Sequence, residues 1–184
     1  MKKKFVFLVF ICCFLFAKIH AQNFITEKKS AGAFPVVADN SVTAICVDDS
    51  DYFLVKKAAS FLQQDIQMVT DKKPAILNSL SSSDKNIIII GSLQKSALIK
   101  KLVEDKKIDT TDLSQKWEAY KLQVVNHPFK GIDNALVIAG SDRRGTAYGV
   151  FTLSKQMGVS PWYWWADVPV KKKKEVFVKN GTYK

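Results

Sequence analysis

Residues 87–90 limit the fold of this chain more than any other feature, because four consecutive isoleucines cannot make a strand with one polar face. Apolar β-branched side chains on both faces are typical of strands in parallel sheets that carry helices on either side. Residues 135–140, "ALVIAG", have the same character. The sequence therefore predicts two central strands that are buried on both faces.

The segments around these strands alternate between strand and helix patterns. Residues 51–69 carry apolar side chains at three- and four-residue spacing, which predicts an amphipathic helix. The order of the segments predicts an α/β fold in which a mixed β-sheet is flanked by helices. The other predicted helices are residues 96–103 and 142–158, and the other predicted strands are residues 34–37, 43–47, 75–77 and 118–125.

Aspartates precede the first predicted helix and the last one. Asp48, Asp49 and Asp51 suit helix capping, and a metal or acid/base cluster is the alternative. Asp142 is expected to cap the last helix. Asp142 and Asp167 are also the carboxylates that a glycosidase mechanism would use, but no spacing in the sequence fixes such a pair.

Residues 91–98, "GSLQKSAL", begin with a glycine between a buried strand and a helix, as phosphate-binding loops do. Such a loop needs a second glycine directly before its lysine, where Gln94 stands. We interpret the segment as a strand-to-helix turn. His127, which precedes a proline, is interpreted as a turn residue rather than a general base.

The first 21 residues are predicted to be a signal peptide. Lysines at positions 2–4 precede an apolar run at residues 5–17, and cleavage is expected near Gln22. The run is shorter than the roughly 20 apolar residues of a membrane span. We therefore expect a signal peptide at 1–21, one α/β domain at 22–184, no membrane association after cleavage, and a secreted, periplasmic or cell-surface protein.

The composition of residues 22–184 excludes several classes of function. Cys46 and His127 are the only residues of their types there, which is too few for a zinc site of Cys and His. The 24 basic and 17 acidic residues leave a charge of +7, mostly from lysine. Arg143 and Arg144 are the only arginines, so a nucleic-acid site is disfavoured. No metal and no cofactor are expected.

Residues 160–169, "SPWYWWADVP", carry more large rings than a small core needs. If the segment is extended, Trp162 and Trp164 face one side, and Tyr163 and Trp165 face the other. One side would then expose its rings, and exposed aromatic patches mark binding sites or missing partners.

The turn "SDRRGT", residues 141–146, follows the carboxyl end of a predicted strand, where open α/β sheets bind ligands. Arg143 and Arg144 lie in this turn. They could pair with carboxylates of the same domain or bind an acidic ligand through a planar fork.

Residues 135–170, "ALVIAGSDRRGTAYGVFTLSKQMGVSPWYWWADVPV", resemble a signature of glycoside hydrolase family 115, the xylan α-1,2-glucuronidases. The upstream segments "DYFLVKKAASFLQQDIQMVTDKKP", "IIIIGSLQKSALI" and "KWEAYKLQVV" follow the family's order and spacing. The resemblance covers nearly all of residues 22–184. The sequence departs from it at Asp71 and Gln94, where the family often has glycine.

The resemblance implies a role in a long, secreted, multidomain enzyme that releases glucuronic acid or its methyl ether from xylan side chains. Members have an N-terminal α/β domain that packs on a (β/α)₈ barrel carrying the catalytic carboxylates. We therefore expect this chain to be the non-catalytic N-terminal domain, truncated before the barrel and inactive alone. The expected partners are the barrel and glucuronoxylan or its oligosaccharides. The expected substrate-binding residues are Arg143, Arg144, Trp162, Trp164 and Trp165.

Two alternatives remain open. A free-standing carbohydrate-binding module would use the tryptophans as a stacking platform. An interaction protein would bind an acidic polymer through its basic, aromatic surface, and this binding would weaken with salt whatever the sugar.

Overall fold

A computed structural model describes residues 23–81 and 85–184. The predicted signal peptide, residues 1–21, lies outside the described residues. The strands are β1 Ile25–Thr26, β2 Phe34–Ala38, β3 Ser41–Val42, β4 Ala44–Val47, β5 Ile76–Leu77, β6 Asn86–Ser92, β7 Tyr120–Asn126, β8 Asn134–Gly140, β9 Val176–Val178 and β10 Thr182–Tyr183. The helices are α1 Phe53–Thr70, α2 Ala97–Glu104, α3 Arg143–Met157 and α4 Tyr163–Ala166.

The larger sheet is mixed, as predicted, and its six strands run in the order β10-β7-β8-β6-β4-β5. Strands β5, β4, β6 and β8 are parallel, whereas β7 and β10 are antiparallel to their neighbours. The isoleucine run lies in β6 at the centre and is fully buried. Burying one isoleucine side chain stabilises a fold by about 2 kcal/mol, so β6 contributes strongly to the core.

Helices cover both faces of this sheet. On one face, α1 and α3 pack together with a second, four-stranded sheet of order β1-β9-β2-β3. On the other face, α2 and the loops around Ile108, Leu113 and Ile132 close a separate hydrophobic cluster. The predicted α/β class, a sheet flanked by helices, is therefore confirmed.

The predicted capping of α1 by aspartates is wrong. Tyr52 is the N-cap residue of α1, and no side chain caps this end. The Asp51 carboxylate instead accepts hydrogen bonds from the Ser92 amide and hydroxyl, both at 2.7 Å. Asp48 accepts one from the Ala97 amide, at 2.8 Å, at the start of α2. Parallel strands bring the ends of β4 and β6 together, so donors distant in sequence compete for these carboxylates.

The interpretation of residues 91–98 as a strand-to-helix turn is confirmed, since β6 ends at Ser92 and α2 begins at Ala97. The extended conformation considered for residues 162–165 does not occur. Ser160 accepts hydrogen bonds from the Trp162 and Tyr163 amides, and the chain turns into the short helix α4. Residues three apart share a helix face, so Trp162 and Trp165 lie on the same side of α4.

Trp162 and Trp165 are 62% and 84% exposed, while the side chain of Trp164 lies outside what the structure describes. The large exposed rings that the sequence predicted are therefore present at two positions. No helix within residues 23–81 and 85–184 combines the length and apolar character that crossing a bilayer requires.

Candidate functional site

A groove of about 570 Å³ opens at the edge of the larger sheet where β4, β6 and β8 end. Strand β7 is antiparallel and begins at this same edge. Open α/β sheets bind ligands in this position, because loops from several strands converge there. The groove is lined by Tyr52, Gln94, Gln115, Lys116, Trp117, Glu118, Ser141, Asp142, Arg143 and Arg144.

Asp142 organises the floor of this groove. Its carboxylate accepts hydrogen bonds from the amides of Arg144, Gly145 and Glu118, each at 2.8 Å. Burial raises the pKa of Asp142, but these three amides outweigh burial and hold the pKa below its ordinary value. The predicted N-cap is confirmed, and the carboxylate is fixed in its charged form.

The first turn of α3 lies directly against the chain that enters β7. A Cβ built on Gly145 would lie 2.2 Å from the Ala119 carbonyl oxygen, so only glycine fits there. The Ala119 amide donates to the Ser141 hydroxyl at 3.1 Å, and the Ser141 amide donates back to the Ala119 carbonyl at 2.9 Å. This contact fixes Trp117 and Glu118 at the rim of the groove.

The two arginines of the turn have different surroundings. Arg144 forms a salt bridge of 2.9 Å with Glu118 and donates a hydrogen bond of 3.1 Å to the Tyr148 hydroxyl. The Tyr148 hydrogen bond, followed by the Glu118 charge, raises the pKa of Arg144. Arg143 forms no salt bridge with any carboxylate in the described part of the chain. Of the two, Arg143 is the more available to an acidic ligand.

Tyr52 joins the groove to the loop after β6. Its hydroxyl donates to Gln94 Oε1 at 2.7 Å. The Lys95 ammonium lies 4.5 Å from the Tyr52 ring centroid, and the Arg143 guanidinium carbon lies 5.9 Å from it. Two cations thus lie near one ring. The positive groups that line the groove are Lys116, Arg143 and Arg144.

Trp117 is 89% exposed at the rim and was not anticipated as a site residue. A signal for it exists in the sequence, because "QKWEAY" leads directly into β7 at the ligand-binding edge. The exposed Trp117 ring, the amide side chains and the Arg143 guanidinium together suit a ligand that carries both hydroxyls and a carboxylate.

Of the predicted tryptophans, Trp162 and Trp165 do not line this groove. Arg143 and Arg144 begin α3, whereas Trp162 and Trp165 follow its other end. With a rise of 1.5 Å per residue, the 15-residue helix separates these groups by roughly 20 Å. The arginines and tryptophans therefore form two separate surfaces.

His127 is exposed, has a φ of 47° and donates its amide to the Asp133 carbonyl, as expected for a turn residue. Within residues 23–81 and 85–184, no group of three or more His, Cys, Asp or Glu residues is arranged to hold a metal ion.

The chain is similar in structure to a family GH115 4-O-methyl-α-glucuronidase with specificity for decorated arabinogalactans. The TM-score is 0.60 and the sequence identity is 31%, over 82% of this chain and 17% of that chain. The chain thus spans about a sixth of the length of that protein. Its fold is that of a domain associated with a glycoside hydrolase.

More distant matches include CpGH84D, with a TM-score of 0.49 and 13% identity over 85% of this chain and 22% of that chain. A GH20 β-N-acetylhexosaminidase from Streptomyces coelicolor A3(2) has a TM-score of 0.45 and 12% identity, over 82% of this chain and 22% of that chain.

Comparison with curated proteins finds no match. The family model described as "S-layer like family, outer domain" matches residues 16–157. The resemblance to glucuronidases had not pointed to this family. Because the match spans well over half of the sequence, the chain belongs to the S-layer like family, outer domain.

Proposed function

We propose that this chain is the non-catalytic N-terminal domain of a secreted glycoside hydrolase that removes (4-O-methyl)glucuronic acid side chains from xylan. The observation that carries the proposal is the 31% identity, over 82% of the chain, to a 4-O-methyl-α-glucuronidase. That enzyme is described as specific for decorated arabinogalactans, whereas the polysaccharide proposed here is xylan. The proposal therefore rests on a shared acidic sugar rather than on a shared polysaccharide backbone.

In this proposal, the groove at the sheet edge binds the acidic sugar. Arg143 supplies the charge for the sugar carboxylate, because Arg144 is already paired with Glu118. Trp117 offers a ring face on which a sugar can stack, and Gln94 and Gln115 offer amides for hydroxyls. An arginine fork matches a carboxylate in two parallel hydrogen bonds.

The carboxylates of the groove suit binding rather than catalysis. A glycosidase needs one carboxyl group with a raised pKa to act as general acid. The pKa of Asp142 is lowered by backbone amides, and Glu118 is held in a salt bridge. We therefore assign the catalytic carboxylates to a (β/α)₈ barrel domain and expect no turnover from this chain.

The exposed rings around α4 provide the surface for that barrel. Trp162 and Trp165 present large apolar areas on one side of the short helix. Trp164 belongs to the same proposed surface by its position in the sequence. Packing these rings against a neighbouring domain would remove apolar surface from water, which stabilises the contact.

The test of the groove is the replacement of Arg143 by alanine. Because a hydrogen-bonded charge pair contributes about 1.5–3 kcal/mol, affinity for a glucuronic-acid-bearing xylo-oligosaccharide should fall roughly 10- to 100-fold. Isothermal titration calorimetry measures the change. Lys130→Ala, which removes an exposed cation from the turn between β7 and β8, is the control and should bind as wild type does. Unchanged affinity in R143A would refute the assignment of Arg143.

A further inference from the structure

A second groove, of about 700 Å³, runs along the outer surface between α1 and α3. Its walls are mainly apolar and aromatic and include Phe61 and Met68 of α1, Tyr148 and Phe151 of α3, and Tyr120 of β7. Cavities of this size with few polar groups are typical of sites for small molecules. The groove is separate from the sheet-edge groove, and at one end it reaches Val159, Ser160 and Pro161, directly before α4.

One carboxylate lies in this apolar groove. Asp65 of α1 is half-buried and forms no salt bridge with any described lysine or arginine. Burial raises the pKa of Asp65, and the nearby Ser154 hydroxyl opposes this in part. A carboxylate that is removed from water without a counter-ion is stabilised when a cation binds beside it.

The rings of the groove are arranged to attract a cation. The Phe61 and Phe151 centroids are 6.2 Å apart, with the rings tilted by 37°. The Lys57 ammonium already lies 4.9 Å from the Phe61 centroid, so this ring interacts with positive charge within the chain itself. Attraction between a cation and a ring face is strongest where water is excluded.

Asp65 is the one acidic side chain among the described residues that line the groove. Lys155 and Tyr148 face it from α3, Tyr120 faces it from β7, and Lys57 lies near the Phe61 ring without lining the groove. Tyr120 is held in place by the Thr152 hydroxyl, which donates to the Tyr120 oxygen at 2.9 Å. The lining is therefore well defined without a ligand.

We propose that the groove between α1 and α3 binds a small organic cation with an apolar body. The ammonium of the ligand lies against Asp65, and its apolar body packs between Phe61 and Phe151. This site is independent of the acidic-sugar groove, so either assignment can fail without the other.

The experiment compares benzylammonium with benzyl alcohol, a neutral molecule of almost the same shape. Each is titrated into the intact chain, and the backbone amide signals of α1 and α3 are followed by NMR. We expect benzylammonium to bind about tenfold more tightly than benzyl alcohol, because only the cation interacts with Asp65 and with the ring faces.

Variants at two aspartates identify the source of the preference. Asp65→Asn keeps the shape of the side chain and should abolish the preference for the cation, with benzyl alcohol binding unchanged. Asp133→Asn, at an exposed position just before β8, is the matched control and should keep the wild-type preference. Near-ultraviolet circular dichroism checks that each variant is folded.

Three results would overturn the proposal. These are equal or undetectable binding of the two probes, a cation preference that survives in D65N, and signal changes that lie outside α1 and α3. A concentration-dependent dimer that is lost in Phe151→Ser, measured by sedimentation velocity, would assign the groove to a second copy of the chain instead.

Discussion

Replacing Gly145 with alanine is expected to lower the free energy of unfolding by about 3 kcal/mol, near the upper end of the range for overpacking. The added methyl would lie 2.2 Å from the Ala119 oxygen and 3.0 Å from the Glu118 and Ala119 carbonyl carbons. These are backbone atoms in a paired segment and cannot rotate away. Helix propensity alone predicts the opposite sign, because alanine is favoured over glycine by about 1 kcal/mol.

Urea unfolding of the intact chain measures this effect. Gly158→Asn is the control at the other end of α3, where φ is 105° and a Cβ built on the glycine would meet no neighbour within 4 Å in the described part of the chain. Asparagine enters the left-handed region more readily than other non-glycine residues but is strained at this φ, so the control should cost about 1 kcal/mol and clearly less than G145A. If G145A were as stable as wild type, the close approach of α3 to residues 118–119 would be incorrect. The placement of Trp117 at the rim of the groove would then also be incorrect.

Asp112→Asn is expected to lower the free energy of unfolding at neutral pH by about 2–3 kcal/mol, since it removes the counter-ion of a buried cation. The Lys121 ammonium lies 2.6 Å from Asp112 Oδ1, and the Lys121 side chain is only 7% exposed. Lys184 also contacts this carboxylate, and Lys121 donates to the Asp109 carbonyl as well. The cluster joins β7 to residues 109–112 and to the residue after β10.

The same cluster predicts how the free energy of unfolding changes with pH. Burial raises the pKa of Asp112, but hydrogen bonds and charge from Lys121 and Lys184 outweigh burial and lower the pKa from 3.8 to about 2. Because the folded pKa lies below the unfolded pKa, the stabilisation is present above pH 3.8 and is lost as the pH falls towards 2. In D112N, this loss of stability at low pH should be absent.

Urea unfolding between neutral pH and pH 2 measures both effects. The matched control is Asp105→Asn, which removes the exposed pair with Lys101 on α2. Exposed pairs contribute about 0–1 kcal/mol, so this variant should lie close to wild type. Equal behaviour of D112N and D105N would show that the Lys121 cluster does not stabilise the fold.

The core of the fold was predictable because its signals are local. The isoleucine run and "ALVIAG" became β6 and β8, and the helical spacing of residues 51–69 became α1. The second sheet was predictable only in part, since residues 34–37 became β2 but the pairing of its other strands was not indicated. Strand β1 has two residues, and it pairs with β9, which lies at the other end of the chain. Segments this short carry no period that sequence patterns can detect.

The site was only partly predictable, because some of its contacts join residues that are distant in sequence. The turn that carries the two arginines follows directly from a strand ending before a helix. The difference between Arg143 and Arg144 depends on Glu118, which is distant in sequence. Trp117 reaches the rim because Gln115 and Glu118 adopt φ values of 61° and 56°, which reverse the chain without a glycine. No residue type at these positions indicates that reversal.

The groove at the sheet edge is proposed to recognise an acidic sugar. The most direct measurement is a titration of the wild-type chain with two xylo-oligosaccharides of equal length, one bearing 4-O-methylglucuronic acid and one unsubstituted, followed by NMR. We expect the acidic ligand to bind at least about tenfold more tightly, with signals shifting at Trp117 and Arg143. Equal affinity for both ligands, with shifts at Trp162 and Trp165 instead, would contradict it and favour a free-standing carbohydrate-binding module.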